Sequence, residues 1–295
     1  MTAMSLHATT AWRVVTAAEI GAYHVRTGLG YEDACDISPA GARDGTAVPM
    51  VAVAVADGHG HARHFRSARG ARLAVEIATK LAVHAASTAT DADGLRTALR
   101  ERIGPLLVAR WRRAVEADIE EDPVTAAELA TAGLAADPTL EEKIFAYGST
   151  VMVALATSDW LLAAQIGDGD AFAVTTAGLA MRLVPDDPLL DGWRTTSLCQ
   201  PDALQSMRFG AIRLADANIG AVLLATDGYG NAQSRKDWAT AFAADLIALR
   251  DENGVDWIAD KLPTWVSACA SPEGSGDDVT VALLFRTDTA EEAAA

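Results

Sequence analysis

The chain has 295 residues, of which 50% are hydrophobic, and its formal net charge is −16. This length and composition suit one large domain with a sizeable buried core. An acidic protein repels nucleic-acid phosphates and anionic membrane surfaces, so neither is expected as a partner.

The cysteines and the N-terminal residues bear on the compartment. Three widely separated cysteines, none in a CxxC pair, argue against a disulfide framework and against a zinc site. The start, MTAMSLHATTAW, has no basic region followed by an apolar stretch, and no run approaches the roughly 18 apolar residues of a membrane helix. We therefore expect a cytoplasmic protein with a single domain over residues 1–295 and a disordered tail from about residue 288. The alanine-rich, lysine-poor composition is typical of GC-rich bacteria.

The first half of the chain predicts one strand followed by helices. Alternating valines over residues 50–56 predict a strand that ends in the turn DGHG at 57–60, where glycine permits a tight bend. Helical spacing of apolar residues predicts helices from 63 to about 85 and from 95 to 117, the second bent at a Gly-Pro pair. The acidic, alanine-rich segment 119–143 predicts a loop with a short helix.

The second half predicts mainly antiparallel strands. These lie at 151–155, 160–166, 171–175, 219–225 and 279–285. The proline-containing segment between 185 and 207 has few periodic apolar residues and predicts an exposed excursion resembling a flap. Two helices, one with a kink at Pro263, precede the last strand. This grouping of strands and helices suits antiparallel sheets packed together and covered by helices.

Four predicted strands end or begin in aspartate, usually beside glycine. The segments are VAVADGHG, AAQIGDGDA, LLATDGYGN and SGDDVTVALLF, and a fifth acidic segment, GYEDA, lies at 30–34. Each segment alone is better explained by the preference of Asp and Gly for turns than by a metal site. If the strand ends meet, however, the carboxylates raise one another's pKa and destabilise the fold unless cations neutralise them. Oxygen ligands without nearby cysteine favour Mg²⁺ or Mn²⁺.

In order along the chain, these segments resemble the motifs of the type-2C (PPM) metal-dependent serine/threonine phosphatases of the bacterial type. The matching residues are Glu32-Asp33, Asp57-Gly58-His59-Gly60, Gly148-Ser149-Thr150, Gly167-Asp168-Gly169, Asp227-Gly228 and Gly276-Asp277-Asp278-Val279-Thr280-Val281. The resemblance spans about residues 26–286. It implies an α+β fold, a four-layer α-β-β-α sandwich of two antiparallel sheets flanked by helices.

The resemblance also implies two Mg²⁺ or Mn²⁺ ions per chain. Asp57 would bridge the two ions, and the carbonyl of Gly58 would hold one of them. Asp227 and Asp277 would hold the other. A water between two such ions loses a proton easily and can attack phosphorus in line.

Further roles are implied for the residues around this pair of ions. Glu32 and Asp33 would bind through water or support the bridging aspartate. Asp168 would serve a third, weaker metal position. His59 would act as the general acid that protonates the leaving seryl or threonyl oxygen, because an unperturbed imidazole pKa near 6.5 suits proton donation near neutral pH.

The phosphate-binding arginine of the family is displaced in this sequence. Its expected position, five residues before the early aspartate, is Gly28. Arg26 is the nearest candidate for a bidentate phosphate contact, with Arg63 and Arg66 as alternatives.

Three other positions depart from the family pattern. Tyr31 stands where the family has asparagine, Asn231 where it has a second aspartate, and Asp278 where it has asparagine. A neutral Asn231 weakens the expected third metal position.

Other interpretations of the sequence stay open. Zinc ligation by His59, His61 and His64 is disfavoured because no cysteine lies near, and the last two are expected to be solvated. The favoured function is hydrolysis of phosphoserine and phosphothreonine in proteins, the products of a serine/threonine kinase. The alternatives are a pseudophosphatase that acts as a regulatory binding module and a hydrolase of small phosphate esters.

Overall fold

The computed structural model describes residues 10–89, 91–190 and 195–288, and within them ten strands form two antiparallel five-stranded sheets. The strands of the first sheet are β1 Thr10–Glu19, β6 Asp170–Thr175, β7 Ala180–Arg182, β9 Ile219–Ala225 and β10 Val279–Asp288. Those of the second sheet are β2 Ala34–Ser38, β3 Val51–Ala56, β4 Val151–Ala156, β5 Trp160–Ile166 and β8 Arg208–Arg213. The spatial orders are β1-β10-β9-β6-β7 and β2-β3-β4-β5-β8.

Helices cover the outer faces of both sheets. The α-helices of the described residues are α1 Ala22–Thr27, α2 Ser67–Thr88, α3 Ala92–Ala98, α4 Gly104–Glu121, α5 Ala126–Thr131, α6 Leu140–Phe145, α7 Asp227–Asn231 and α8 Trp238–Ala270. Helix α2 packs on the second sheet and α8 on the first. Gly254, with a φ of 82°, divides α8 into two helical parts, in agreement with the two helices predicted there.

The sequence VAVAVA of β3 shows how the layers are joined. Its three valines pack between the two sheets, among buried residues that include Val222 and Leu224 of β9. Its three alanines face α2, where Ala74 and Ala78 are themselves completely buried. Small side chains on both surfaces let helix and sheet approach closely. The layers therefore follow the order helix, sheet, sheet, helix, which confirms the predicted fold.

The acidic segment between α4 and β4 holds two short helices rather than one. Both α5 and α6 begin with a capping box, formed by Thr125 with Glu128 and by Thr139 with Glu142. In each box the threonine hydroxyl accepts from the backbone of the glutamate, and the glutamate accepts from the backbone of the threonine. These local bonds give short helices to a segment whose apolar pattern is weak.

The prediction that residues 185–207 form an exposed excursion is wrong for the second part of that segment. Leu198 and Cys199 are buried in the core that α2 and the second sheet share. Thr196 and Ser197 are buried as well, and the backbone of Gly167 and of Ser149 satisfies their hydroxyls by hydrogen bonds. The segment is thus packed against the strand ends.

The last part of the predicted tail, residues 289–295, lies outside the described residues, while Asp288 ends β10. Across the described ranges, every helix is too short or too polar to span a membrane.

Candidate active site

The predicted acidic strand ends meet in one open cleft across the ends of both sheets. β3 and β2 bring Asp57 and the GYED segment from one sheet, and β9 and β10 bring Asp227 and Asp277 from the other. The cleft is lined by predicted site residues and their neighbours, among them His24, Arg26, Asp57, Gly58, His59, Asp168, Asp227 and Asp277. The fold therefore gathers carboxylates as far apart in the chain as Glu32 and Asp277, 245 positions.

Asp57 and Asp227 form the centre of this cluster. Their carboxyl groups lie within hydrogen-bonding contact of each other. Burial, and then the charges of Asp33 and Asp227, raise the pKa of Asp57 well above its usual range. Burial, followed by the charge of Asp168, raises the pKa of Asp227 to about 6. Such mutual repulsion is the electrostatic condition that a bound cation relieves.

The segment Gly148-Ser149-Thr150 fixes the backbone of Asp57. Its N–H donates to the Thr150 hydroxyl at 3.0 Å, and its carbonyl accepts from the Thr150 N–H at 2.9 Å. Next to it, Gly58 packs so closely on the backbone of Glu32 that a Cβ would come within 2.6 Å of the carbonyl oxygen there. Glycine at this position therefore lets the DGHG turn sit directly against the early acidic segment.

Asp33 lies behind the cluster and is held by two threonines. Its Oδ2 accepts from the hydroxyls of Thr226 and Thr280, each at 2.8 Å. The side chain is buried, and this burial raises its pKa. Asp33 lies close enough to Asp57 for its charge to raise the pKa of that carboxyl, so it belongs to the same cluster of repelling carboxylates.

Glu32 carries an unsatisfied oxygen. Its Oε1 accepts from the Ser67 hydroxyl at 2.8 Å, but Oε2 is buried without a hydrogen-bond partner. Burial raises the pKa of this carboxyl. A buried carboxylate oxygen without a donor is costly, so a cation or its water would fit here.

Asp168 and Asn231 flank Asp227. Asp168 is exposed and accepts from the Thr195 hydroxyl at 2.7 Å. Asn231 donates from Nδ2 to Asp227 Oδ2 at 3.0 Å, which orients that carboxylate. Asp170, which the sequence interpretation passes over, adds a further carboxyl whose pKa is raised to about 6 by burial.

His59 follows Gly58 in the DGHG turn and lines the same cleft. Its ring makes an edge contact with His64, with centroids 4.9 Å apart, and burial lowers the pKa of His59 to about 3. The unperturbed value expected from the sequence therefore does not apply to the free chain. His61 is exposed, as predicted, whereas His64 is half-buried: its ring packs on Phe145 and its Nδ1 lies 2.6 Å from the carbonyl of that residue.

The three arginines considered for phosphate binding have different surroundings. Arg26 is exposed, lines the cleft and lies over the Tyr23 ring at 5.4 Å. Arg63 lies over the Phe145 ring at 5.1 Å. The alternative that Arg66 contacts phosphate is wrong, because its buried guanidinium binds Glu128 at 2.8 Å and the Tyr147 hydroxyl at 2.8 Å.

Among the described residues, no group of three or more His, Cys, Asp or Glu side chains is already arranged to hold a metal ion. The crowded carboxylates and the unsatisfied Glu32 oxygen are nevertheless a donor set of the kind that Mg²⁺ and Mn²⁺ take.

A model of the Protein phosphatase 2C family matches residues 20–267. The chain belongs to the protein phosphatase 2C family. No curated protein matched the sequence.

Solved structures show the same fold at low identity. A bacterial serine phosphatase has a TM-score of 0.59 and 14% identity, with 92% of this chain and 96% of that chain covered. The serine/threonine phosphatase of S. agalactiae has a TM-score of 0.52 and 17% identity, with 93% of this chain and 99% of that chain covered. The catalytic domain of PstP, in complex with two manganese ions, has a TM-score of 0.50 and 17% identity, with coverage of 95% and 100%.

In this family member, glycine occupies the position at which the family pattern has arginine. Gly28 ends the short helix α1 with a φ of 75°, and a Cβ there would point into open space. The helix instead turns His24 and Arg26 to the cleft. Because α1 is six residues long and flanked by glycines, no periodic pattern reveals it, and the sequence interpretation misses His24.

Asp278, which stands where the family pattern has asparagine, makes two contacts that explain this difference. Its Oδ1 accepts from the N–H of Gly21 at 2.7 Å, and its Oδ2 accepts from the N–H of Glu32 at 2.6 Å. An asparagine offers one oxygen, so it cannot accept in this way at both ends. The carboxylate of this family member therefore fixes both ends of the segment that carries α1.

Proposed function

We propose that this chain is a metal-dependent phosphatase that hydrolyses phosphoserine and phosphothreonine in proteins phosphorylated by a serine/threonine kinase. The observation that carries the proposal is the contact of Asp57 with Asp227, amid further carboxylates whose charges raise the pKa of both. A protein keeps such repulsion when cations bind there. Membership of a phosphatase family supports the same reaction.

The proposed metal site uses the residues that the cleft gathers. Asp57 would bridge two ions, with the Gly58 carbonyl on one and Asp227 and Asp277 on the other. When bound, two Mg²⁺ or Mn²⁺ ions supply Lewis acidity that activates water and offsets charge on a phosphoryl group. The similar fold of PstP, described with two manganese ions, supports this choice of metal.

The outer positions of the site follow from their contacts. Glu32 Oε2, which lacks a donor, would accept from a water on a metal, and Asp33 would hold Asp57 in place. Asp168 would add a weaker third position, with Asn231 contributing no charge there.

His59 and Arg26 would act on the substrate. The backbone N–H of His59 donates to the Gly148 carbonyl at 3.2 Å, and its ring is wedged against His64, so its orientation is fixed. An anionic phosphate beside the ring favours the protonated imidazole, which gives its proton to the leaving seryl or threonyl oxygen. Arg26, at the exposed edge of the cleft, would contact the phosphate oxygens.

A binding module without activity is the second candidate. It is favoured by Gly28, since the position at which the family pattern places arginine faces open space. Phosphate would then be recognised without hydrolysis.

One assay separates the two candidates. The purified chain is incubated with p-nitrophenyl phosphate and with phosphoserine and phosphothreonine peptides, in Mn²⁺ and in EDTA, beside Asp57→Asn. We expect hydrolysis that needs Mn²⁺ and is lost in Asp57→Asn. Hydrolysis that persists in EDTA contradicts the metal site, and a folded chain that binds phosphopeptide without hydrolysing it favours the binding module. Preference for the small ester over every peptide points to small phosphate esters.

A further inference from the structure

Helix α1 is built against the acidic segment that precedes β10. The N–H of Tyr23 donates to the Gly276 carbonyl at 2.8 Å. A Cβ at Gly21 would clash with the backbone of Asp277, so glycine permits this close packing. The contact buries His24, which is 5% exposed, beside Asp277.

The two ring nitrogens of His24 have different surroundings. Nδ1 lies 3.0 Å from the carbonyl oxygen of Gly30 and 3.2 Å from Asp278 Oδ2. A carbonyl can only accept, so Nδ1 carries the hydrogen, and Nε2 offers its lone pair when the ring is neutral, as a metal-bound histidine must be. Nε2 lies 3.3 Å from Asp277 Oδ1.

An unsatisfied carboxylate oxygen faces the same space as His24 Nε2. A Cβ placed on Gly60 would lie 3.3 Å from Glu32 Oε2 and 3.7 Å from His24 Nε2. Glu32 Oε2 is buried and has no hydrogen-bond partner. An oxygen and a nitrogen, both able to donate an electron pair, therefore border one small space over Gly60 and beside Asp277.

The spacing of His24 and Asp277 suits two ligands of one ion. Ligands about 2.1 Å from an octahedral ion lie about 3.0 Å apart when they are adjacent. The observed 3.3 Å between Nε2 and Oδ1 is close to this value. A metal-binding histidine also normally donates its other N–H to a carbonyl or a carboxylate, as Nδ1 does here.

We propose that His24 supplies Nε2 as a ligand to the divalent cation that Asp277 holds, so that this site prefers Mn²⁺ to Mg²⁺. Imidazole suits transition metals, whereas Mg²⁺ takes oxygen ligands. Glu32 Oε2 accepts from a water on the same ion. The inference rests on the proposed function for the presence of a cation at Asp277, and it adds a nitrogen to an otherwise all-oxygen site.

The direct test is electron spin-echo spectroscopy of the full chain loaded with Mn²⁺, which detects nitrogen bonded to the ion. We expect ¹⁴N modulation in the wild type and in His59→Asn, and its loss in His24→Asn. Asparagine keeps a donor near the position of Nδ1, which can still bond the Gly30 carbonyl, but it has nothing at the position of Nε2. His84→Asn, which removes an exposed histidine of α2, is the matched control.

Titration calorimetry with each metal alone gives the second readout. We expect His24→Asn to lower Mn²⁺ affinity about tenfold or more and Mg²⁺ affinity less than twofold. An equal loss for both metals overturns the proposal, because a merely structural histidine would act on both. If His24→Asn fails to fold, the His59→Asn chain is labelled with [¹⁵N]histidine and measured instead. We expect its ¹⁴N modulation to change, because a histidine nitrogen other than that of His59 is bonded to the ion.

These outcomes do not depend on hydrolysis. Modulation that disappears in His59→Asn, or is absent from the wild type, overturns the role of His24 even if the chain is an active phosphatase. Modulation that depends on His24 in a chain without activity supports the ligand and counts against the proposed function instead.

Discussion

Asp57 and Asp227 bring their carboxyl groups into contact although one follows a strand of the second sheet and the other a strand of the first. The two sheets therefore meet at their ends through groups that repel each other when both are ionised. This relationship makes the stability of the chain depend on protons and cations.

The first prediction concerns Asp57→Asn. The substitution removes one of the repelling charges, so we expect the metal-free chain to unfold at a higher temperature near pH 8, with a gain of about 1–2 kcal/mol in free energy of unfolding. We also expect phosphatase activity to fall by about a thousandfold or more, since metal assistance contributes several kcal/mol to the barrier.

Calorimetric unfolding in EDTA and in excess Mn²⁺ measures the first effect. Mn²⁺ at 100 times its Kd should add about 2.7 kcal/mol to the wild type and much less to the variant. Asp216→Asn, at an exposed position outside the cleft, is the control. An Asp57→Asn chain that gains as much from Mn²⁺ as the wild type would contradict the metal role.

The second prediction concerns pH. Asp227 has a pKa of about 6 in the folded chain and near 3.8 when unfolded, so the folded state binds more protons between these values. The contribution of Asp227 to the stability of the metal-free chain should then fall as pH rises through about 4 to 6 and level off above that range. Urea titrations in EDTA from pH 4 to 8 measure the slope, which should flatten between pH 4 and 6 in Asp227→Asn.

The third prediction concerns Arg26. If this exposed guanidinium contacts the substrate phosphate, Arg26→Ala should raise the KM for a phosphopeptide about tenfold, which corresponds to about 1.4 kcal/mol of binding. Arg63→Ala, which removes an arginine stacked on Phe145, is the matched control. An unchanged KM in Arg26→Ala means that another group holds the phosphate.

The fourth prediction concerns the Arg66–Glu128 pair, which ties α5 to the start of α2. Arg66 lowers the pKa of Glu128 to about 2, from 4.5 in the unfolded chain. The pair therefore stabilises the fold above about pH 4.5, and this contribution is lost as pH falls toward 2. Glu128→Gln should cost about 1–3 kcal/mol at pH 7 and clearly less at pH 3.

Urea midpoints at the two pH values test this expectation. Glu141→Gln, which breaks the exposed pair with Arg112, should change stability by less than about 0.5 kcal/mol. A cost for Glu128→Gln that is the same at both pH values would mean that packing, not charge, stabilises the contact.

The parts of the fold that the sequence predicts are those with strong local patterns. β3 and β9 are completely buried apolar strands, so composition alone marks them, and the aspartates that follow them could be expected to meet. β1 mixes Trp12, Arg13 and five threonines or alanines along one strand, and only its pairing with β10 explains its position. α1 exists because it packs on residues 276–278, about 250 positions away, and no local signal encodes that contact.

The same distinction applies to the site. Asp57, Asp227 and Asp277 lie at strand ends and are visible in the sequence. His24 depends on a six-residue helix, and the burial that lowers the pKa of His59 depends on the neighbouring His64 ring. Arg66 looks available for phosphate in the sequence, and its partner Glu128 becomes evident when the fold brings α5 beside it.

Asp278 fastens the segment between β1 and β2 at Gly21 and at Glu32, and that segment crosses from one sheet to the other. Between the two fastened ends, the chain packs on residues 276–278 through α1 and on Thr280 of β10 through Tyr31. Within these contacts, the length and sequence of the crossing determine which side chains reach the cleft. A loop of another family member, grafted between these two anchor points, would exchange the chemistry at the rim without rebuilding the fold.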